Sequence, residues 1–163
     1  MRRVYFLRHA EAAPSAGDDK ARHLSSFGAE QASQLGAYMK SQNMRPDAVL
    51  CSSAIRTQET FEKLSIRDAA MAVSIEDGLY NAPEELYFEG IRMLPPEVGS
   101  VMVVGHNPGI SAAVFSCARH CPEWDVMPYE PCTLAVFELD IANWNEFTPS
   151  SMTCLKIVRS DTL

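Results

Sequence analysis

Three apolar runs in this chain are each followed at once by side chains that can hold phosphate. The polar residues are Arg8 and His9 after the run 4–7, Ser52, Ser53 and Arg56 after the run 48–51, and His106 after the run 101–104. Guanidinium groups clamp the equatorial oxygens of a phosphoryl group and offset the charge that develops on them. An imidazole held neutral can attack phosphorus, which gives a covalent enzyme intermediate. This set of arginine, histidine and serine side chains therefore favours phosphoryl transfer as the reaction.

The same residue types predict how such a nucleophile is kept reactive. Neighbouring guanidinium groups disfavour the imidazolium form through like-charge repulsion. A second imidazole, when protonated, donates a further hydrogen bond to the phosphoryl oxygens, and the helix predicted after Ser52 and Ser53 adds an N-terminus that favours an anion. This chemistry needs no metal, and the chain has no obvious cluster of carboxylates for Mg²⁺, so we expect neither a metal ion nor another cofactor.

Strand and helix patterns alternate along the chain up to residue 118. Apolar runs predict strands at 2–8, 48–51, 71–75, 101–104, 134–137 and 155–158, and helical periodicity predicts helices at 26–41, from 52–53 to 64, from 83 and from 108. Ser25 and the pair Ser52-Ser53 are predicted to cap the first two helices, and Pro83 and Pro108 to open the last two. Such alternation predicts one α/β domain over 1–163, with three α/β/α layers around a mainly parallel sheet.

The placement of the polar residues follows from this fold. In α/β proteins, ligands bind at the carboxyl ends of the strands. Arg8 and His9, Arg56, and His106 follow the carboxyl ends of the first, second and fourth predicted strands. If these strands are neighbours, two arginines and two histidines converge on one spot.

Composition limits the classes of partner. The net charge of −7 predicts a surface that repels nucleic acid and anionic membranes, so an anion site must be a local basic pocket. The number of cysteines, five, is odd and no C-x-x-C motif occurs, which indicates free thiols in a reducing cytosol. The apolar run after Arg2 and Arg3 is too short for a signal peptide, and no stretch reaches transmembrane length. We therefore expect a cytoplasmic protein that binds no membrane.

Four motifs, taken in order, resemble those of a known family. They are Leu7-Arg8-His9-Ala10-Glu11-Ala12, Arg22-His23-Leu24-Ser25 with Gly28 and Gln31-Ala32, Ser52-Ser53-Ala54-Ile55-Arg56-Thr57 with Thr60, and Gly105-His106-Asn107. Together they resemble the histidine phosphatase superfamily, with its phosphoglycerate-mutase-like fold, and within it the small SixA-type phosphohistidine phosphatases. The motifs cover residues 1–117, and the remainder is similar only in length and strand pattern.

The resemblance implies roles for particular residues. It implies that His9 is the nucleophile that becomes phosphorylated, that Arg8, Arg56 and His106 complete the phosphate pocket, and that Arg22 is a further basic residue of the SixA branch. Ala10 replaces the glycine common elsewhere in the superfamily, a change that SixA-like members often carry.

The leaving-group side of the pocket distinguishes the possible substrates. Larger members of the superfamily place a carboxylic acid there on an inserted lid, but here only about 25 residues separate the third and fourth predicted strands, so we expect no sizeable lid. The candidate acids are Glu84, Glu85, Asp77 and Glu11. Because imidazole leaves a P–N bond far more easily than an alkoxide leaves a P–O bond, an acid-poor pocket favours phosphohistidine on a protein partner. A small-molecule phosphomonoesterase on the same pocket is the alternative, and a non-catalytic phosphate-binding module is a third.

Some polar residues are expected to lie outside this chemistry. His23 and His120 are interpreted as surface or structural histidines. The pair Asp18-Asp19 is interpreted as part of a solvated loop, since it lies in a small, polar stretch between the first strand and the first helix.

Overall fold

One mixed sheet lies between two pairs of helices in the computed structural model, which describes residues 1–15 and 17–163. The strands there are β1 (Arg2–Arg8), β2 (Ala48–Ser52), β3 (Ala72–Glu76), β4 (Ser100–Gly105), β5 (Thr133–Leu139) and β6 (Thr153–Arg159). The helices are α1 (Ser26–Ser41), α2 (Ile55–Leu64), α3 (Glu84–Arg92) and α4 (Gly109–Ala118). The predicted strands and helices are confirmed, with small differences at their ends.

The sheet has the order β3-β2-β4-β1-β5-β6. The first four strands run parallel, β5 is antiparallel to β1, and β6 is antiparallel to β5. The three layers and the mainly parallel sheet are therefore confirmed. β2, β4 and β1 are neighbours, which is the condition that the predicted phosphate pocket requires.

Each face of the sheet buries its own core because successive strand residues point to opposite faces. In β1, Val4 and Phe6 belong to the core beneath α3 and α4, whereas Tyr5 and Leu7 belong to the core beneath α1 and α2. All four side chains are buried. This two-sided burial explains why the run reads as continuously apolar and not as alternating.

The start of α1 is anchored to the loop that follows β1. The Ser25 side chain accepts a hydrogen bond of 2.9 Å from the backbone N–H of Gly28, so the predicted cap is confirmed. A Cβ atom on Gly28 would overlap the carbonyl group of Glu11. Glycine is therefore required for close approach at this point, and α1 contacts the chain two residues beyond His9.

The predicted start of α2 is wrong. The helix begins at Ile55, its N-cap Ala54 makes no side-chain cap bond, and Ser52 is the last residue of β2. The Ser52 hydroxyl lies 2.7 Å from Nε2 of His106, so this serine contacts the site instead of capping the helix. Pro83 and Pro108 stand one position before the first residues of α3 and α4.

The five cysteines are buried and make no disulfides, as predicted for free thiols. Burial raises the pKa of Cys51 to about 12, and burial likewise raises the pKa of Cys132 to about 12. Within residues 1–15 and 17–163, no helix is long and apolar enough to cross a membrane.

Candidate active site

Strand register brings the two predicted catalytic histidines together. Arg8 lies opposite Gly105 in the β1–β4 pairing, so the next residues, His9 and His106, leave adjacent strands at the same edge of the sheet. Their ring centroids are 5.4 Å apart. Both side chains are buried, with His9 at 9% and His106 at 2% exposure.

Hydrogen bonds on both sides hold the backbone around His9. Its N–H donates to the carbonyl of Gly105 at 3.1 Å, and its own carbonyl accepts from the N–H of Cys132 at 3.0 Å. The following N–H, of Ala10, donates to Oγ1 of Thr60 at 3.0 Å, and that hydroxyl in turn donates to the carbonyl of Arg56. The nucleophile candidate is thus tied to β4, to the segment before β5 and to α2.

The contact made by the His9 ring determines its tautomer. Nδ1 lies 2.7 Å from the carbonyl oxygen of Ala10. A carbonyl oxygen only accepts, so Nδ1 must carry the hydrogen and Nε2 is left with its lone pair. Burial, together with the positive charges of Arg56 and Arg8, lowers the pKa of His9 to about 4. A neutral imidazole with a free Nε2 is the form that can attack phosphorus.

Arg56 is oriented by a residue that the sequence analysis placed in solvent. Its Nη1 donates to the carbonyl of Asp19 at 2.7 Å, and its Nη2 lies 3.1 Å from Oδ2 of the same residue. The Tyr80 hydroxyl donates to this oxygen at 2.6 Å. The Tyr80 hydrogen bond, with help from Arg22 and Arg56, lowers the pKa of Asp19 to about 2. The stretch is solvated as predicted, with the Asp19 side chain 50% exposed, but the contacts of its carboxylate with Arg56 and Tyr80 were not predicted.

Arg22 reaches the same carboxylate from the other side. Its Nη1 lies 3.2 Å from Oδ1 of Asp19, and its Nε donates to the carbonyl of Ala13 at 3.1 Å. The side chain is 31% exposed. The charge of Arg22 is close enough to contribute to the lowered pKa of His9, so the structure places it at the edge of the cluster.

Arg8 and Asn107 donate hydrogen bonds to the same backbone carbonyl. The oxygen of Tyr129 accepts from Nη1 of Arg8 and from Nδ2 of Asn107, both at 3.0 Å. Burial lowers the pKa of the Arg8 guanidinium. The Tyr129 hydroxyl itself donates to the carbonyl of Phe6 at 2.7 Å, which fixes this segment against β1.

His106 is fixed by its backbone as well as by its ring. Its N–H donates to the hydroxyl of Tyr87 at 3.2 Å, and a Cβ atom on Gly105 would overlap that hydroxyl. Burial lowers the pKa of His106 to about 3, with further contributions from His9 and Arg56. The ring of Tyr80 stands edge-on to the imidazole, with the centroids 5.6 Å apart.

Several buried polar atoms of this cluster have no hydrogen-bond partner among the described residues. They include Nε of Arg8, Nε of Arg56 and Nδ1 of His106. Buried polar groups are almost always paired, so orphans of this kind call for an explanation. Two guanidinium donors and an imidazole nitrogen beside His9 are suited to the oxygens of one phosphoryl group.

Three of the four carboxylates predicted as candidate general acids are paired with other side chains, and the fourth, Glu11, is exposed. Glu84 accepts from the hydroxyl of Ser116 at 2.6 Å, Glu85 pairs with Arg92 at 2.6 Å, and Asp77 pairs with Lys20 at 3.0 Å. The segment 77–99 between β3 and β4 holds one helix and no sizeable lid, as predicted. That segment nevertheless contains Tyr80. The Tyr80 side chain therefore borders the pocket on the side where larger members of the superfamily carry a lid.

The two remaining histidines lie outside the cluster. In the part of the chain that the structure describes, no group of three or more His, Cys, Asp and Glu side chains is placed to hold a metal ion. His23 contacts the carboxylate of Glu59, and His120 is exposed. The interpretation of both as surface or structural residues is confirmed.

Two residues of the cluster, Asp19 and Tyr80, could not be identified from the sequence, and a third, Ser52, was identified but assigned the wrong contact. Asp19 and Tyr80 lie in loops whose composition is ordinary, and their contact depends on how two distant segments fold over Arg56. Ser52 did carry a signal, since it precedes Arg56 in a motif, but its small polar side chain before a helix was read as a cap. Only the adjacency of β2 and β4 shows that this serine faces His106.

Comparisons with known proteins agree with this geometry. The family model of the histidine phosphatase superfamily (branch 1) matches residues 4–83. A phosphohistidine phosphatase SixA homolog of Haemophilus influenzae is 37% identical over 129 residues, covering 68% of this chain and 74% of that protein. Phosphohistidine phosphatase SixA of Escherichia coli is 25% identical over 163 residues, covering 95% and 99%.

Solved structures extend the similarity to the whole fold. The structure of the protein histidine phosphatase SixA complexed with tungstate superimposes with a TM-score of 0.81. It covers 98% of both chains at 21% identity. The strands after residue 117, which carry no motif, therefore follow the same fold.

Proposed function

Since this chain belongs to the histidine phosphatase superfamily and is a phosphatase, we propose that it dephosphorylates phosphohistidine on a protein partner, without a metal, through a phosphorylated His9. The observation that supports this most is the state of His9 itself. Its Nδ1 is committed to a carbonyl oxygen and its Nε2 is free, while burial and two guanidinium groups keep the ring neutral.

The proposed first step transfers the phosphoryl group to the enzyme. The Nε2 lone pair of His9 forms a bond to phosphorus as the P–N bond to the substrate imidazole breaks. The electron pair of that bond leaves with the imidazole, whose other nitrogen already carries a proton from solvent, so the ring departs as neutral imidazole. Arg8 and Arg56 hold the equatorial oxygens and offset their charge. His106 adds a hydrogen bond to the same oxygens.

The proposed second step returns the enzyme to its starting state. A water molecule attacks the phosphorus of phosphorylated His9, the new P–N bond breaks, and the Nε2 lone pair is restored. One proton of the water passes to bulk solvent, His9 keeps its hydrogen on Nδ1, and inorganic phosphate leaves. The imidazole of His9 is thus both nucleophile and leaving group, so the two steps are chemically alike.

The pairing of three of the four candidate acids with other side chains supports phosphohistidine as the substrate. Alkyl phosphate esters need a general acid to protonate the departing alkoxide, which contributes about 10²–10⁴ in rate. Glu84, Glu85 and Asp77 are engaged with Ser116, Arg92 and Lys20. An imidazole leaving group depends less on such an acid, and two relatives bear the name phosphohistidine phosphatase.

A trapping experiment tests the mechanism. The enzyme is mixed with a ³²P-phosphohistidine protein, and the reaction is stopped under alkaline denaturing conditions that preserve phosphohistidine. We expect label on the wild-type chain and none on His9→Ala, with the same result in EDTA. Labelled His9→Ala, or activity lost in EDTA and restored by added metal, would contradict the mechanism.

A substrate panel separates the proposed function from its rival. Release of phosphate from phosphohistidine proteins is compared with release from phosphorylated sugars and nucleotides, with His9→Ala as the control for contaminating phosphatases. We expect the highest kcat/KM on phosphohistidine. A higher value on a small ester would assign the protein as a small-molecule phosphomonoesterase.

We also propose that the protein acts in the cytoplasm and binds neither nucleic acid nor membranes. Five free, buried thiols fit a reducing compartment, and a net charge of −7 disfavours polyanionic partners. Cell fractionation tests the location.

A further inference from the structure

The hydroxyl of Ser52 contacts the His106 ring in the protein interior. The possible partners of the hydroxyl hydrogen and of the ring hydrogen can both be identified there. Ser52 and His106 are 0% and 2% exposed, and Oγ of Ser52 lies 2.7 Å from Nε2 of His106. The same Oγ is 3.4 Å from the backbone nitrogen of Ala54, which can only donate. Among the described residues, Nε2 of His106 is the one acceptor within reach of the Ser52 hydrogen.

Two arrangements of hydrogens are possible at this contact. If Nε2 of His106 carried the hydrogen, it would donate to Ser52, the Ser52 hydrogen would have no acceptor, and Nδ1 would be a buried acceptor without a donor. If Ser52 donates to Nε2, both its donor and its acceptor roles are satisfied, and Nδ1 of His106 carries a hydrogen. The second arrangement leaves one unpaired group instead of two, and each unpaired buried group is costly.

We infer that Ser52 is a positioning residue that keeps His106 protonated on Nδ1, so that this atom donates a hydrogen bond to the phosphoryl group in transfer. The catalytic consequence rests on the proposed function. Nδ1 is buried without a partner in a ring whose centroid lies 5.4 Å from that of His9. A phosphoryl oxygen would satisfy it.

The consequence for the mechanism is that His106 donates without being charged. The sequence predicted a donor that must be protonated to imidazolium, but burial and the neighbouring guanidinium group of Arg56 oppose that form. A neutral imidazole with its hydrogen on Nδ1 supplies the same hydrogen bond. Ser52 determines which nitrogen carries it, as outer-shell partners do for other functional histidines.

The tautomer can be measured directly and without substrate. Protein labelled with ¹⁵N-histidine gives separate ring-nitrogen signals for the two tautomers, and the spectrum of His106→Gln assigns the His106 signals by their loss. In the wild type at neutral pH we expect a protonated Nδ1 and an unprotonated Nε2 at His106. A protonated Nε2 with an unprotonated Nδ1 would overturn the inference even if phosphorylated His9 is trapped.

Variants at position 52 then test the role of the hydroxyl. In Ser52→Ala we expect the His106 signals to shift toward the Nε2-protonated tautomer, and kcat on phosphohistidine to fall roughly tenfold, about the value of one hydrogen bond. Ser52→Thr keeps the hydroxyl and should retain the wild-type tautomer and most of the rate. An unchanged tautomer in Ser52→Ala would overturn the assignment.

The two proposals fail in different ways. If His106 carries its hydrogen on Nδ1 in the wild type and loses it in Ser52→Ala, while no phosphoenzyme forms with any substrate, the positioning role of Ser52 stands and the proposed function is wrong. If neither variant at position 52 folds, the wild-type spectrum, assigned with His106→Gln, still tests the inference, because an Nε2-protonated His106 overturns it.

Discussion

His9 depends on burial, and not on a carboxylate partner, for its reactive state. Its Nδ1 donates to a neutral carbonyl oxygen, so no negative charge stabilises the imidazolium form. The positive charges around it act in the same direction as burial, and the pKa of His9 falls to about 4. The protein thereby keeps the proposed nucleophile unprotonated over the whole neutral range.

This lowered pKa has a measurable effect on stability. The pKa of His9 is about 4 in the folded chain against 6.5 for an ordinary histidine, so the unfolded chain binds more protons between these values. The free energy of unfolding should therefore be highest above pH 6.5 and should fall as the pH drops toward 4. In His9→Gln this contribution is absent, and between pH 7 and pH 5 the wild type should lose on the order of 1 kcal/mol more than the variant. Urea unfolding at the two pH values measures it, and equal losses in both proteins would contradict the lowered pKa.

Asp19 opposes the anion that the pocket is proposed to bind. Its carboxylate faces Arg56 and stays ionised, since the pKa of Asp19 is held at about 2. Asp19→Asn removes a negative charge close to the phosphate position, and a charge pair at about 4 Å in water amounts to about 1 kcal/mol. We expect inorganic phosphate to bind about fivefold more tightly to Asp19→Asn at low salt.

Competitive inhibition by phosphate or calorimetry measures this change. Asp18→Asn is the matched control, because Asp18 is exposed and accepts a hydrogen bond from the N–H of Lys20, which asparagine can also do. Weaker phosphate binding by Asp19→Asn would show that orientation of Arg56 outweighs charge at this position.

At the level of elements, α1 contacts the backbone of the loop that follows His9, the proposed nucleophile. Gly28 and Gly36 lie in α1, and a Cβ atom on either would overlap a backbone carbonyl, that of Glu11 for Gly28 and that of Leu64 for Gly36. The first contact is two residues from His9, and the second lies at the end of α2. An alanine at either position would therefore cause the same kind of steric overlap, near the site for Gly28 and farther from it for Gly36.

Substituting these glycines separates stability from activity. Gly28→Ala and Gly36→Ala should each lower the free energy of unfolding by about 1–3 kcal/mol through overpacking. Only Gly28→Ala should also lower kcat/KM under conditions where both variants are folded, because it displaces the chain next to His9. Gly78→Ala, where a Cβ atom meets nothing within 4 Å, is the control. Equal activity of Gly28→Ala and Gly36→Ala would contradict this expectation.

The sequence predicts some elements better than others. An element is predictable where residues close in sequence determine its structure, and it is not where contacts with distant residues determine it. β1 and β4 are recognisable because they are buried on both faces, which leaves an uninterrupted apolar run. The start of α2 was misplaced because a serine before a helix is ordinarily its cap, whereas Ser52 bonds across the sheet to His106. The contact between Asp19 and Tyr80 joins loops 61 positions apart, and no local pattern marks it.

For the whole molecule, the main electrostatic feature is a basic pocket in an acidic protein. The chain carries 21 acidic and 14 Lys and Arg residues, yet Arg8, Arg22 and Arg56 lie around His9. The exterior should therefore slow the approach of acidic partners, while the pocket attracts the phosphoryl group at short range. A protein partner that presents its phosphohistidine among basic residues satisfies both conditions.

This arrangement predicts a charge preference in the substrate. Two peptides with the same phosphohistidine, one flanked by lysines and one by glutamates, should differ in kcat/KM by at least about threefold at low ionic strength, in favour of the lysine peptide. The difference should shrink near 0.5 M salt, where the Debye length falls to roughly 4 Å and surface charges are screened. Steady-state phosphate release at both salt concentrations measures it. A preference for the glutamate peptide would mean that partner recognition is local to the pocket and independent of the net charge of the protein.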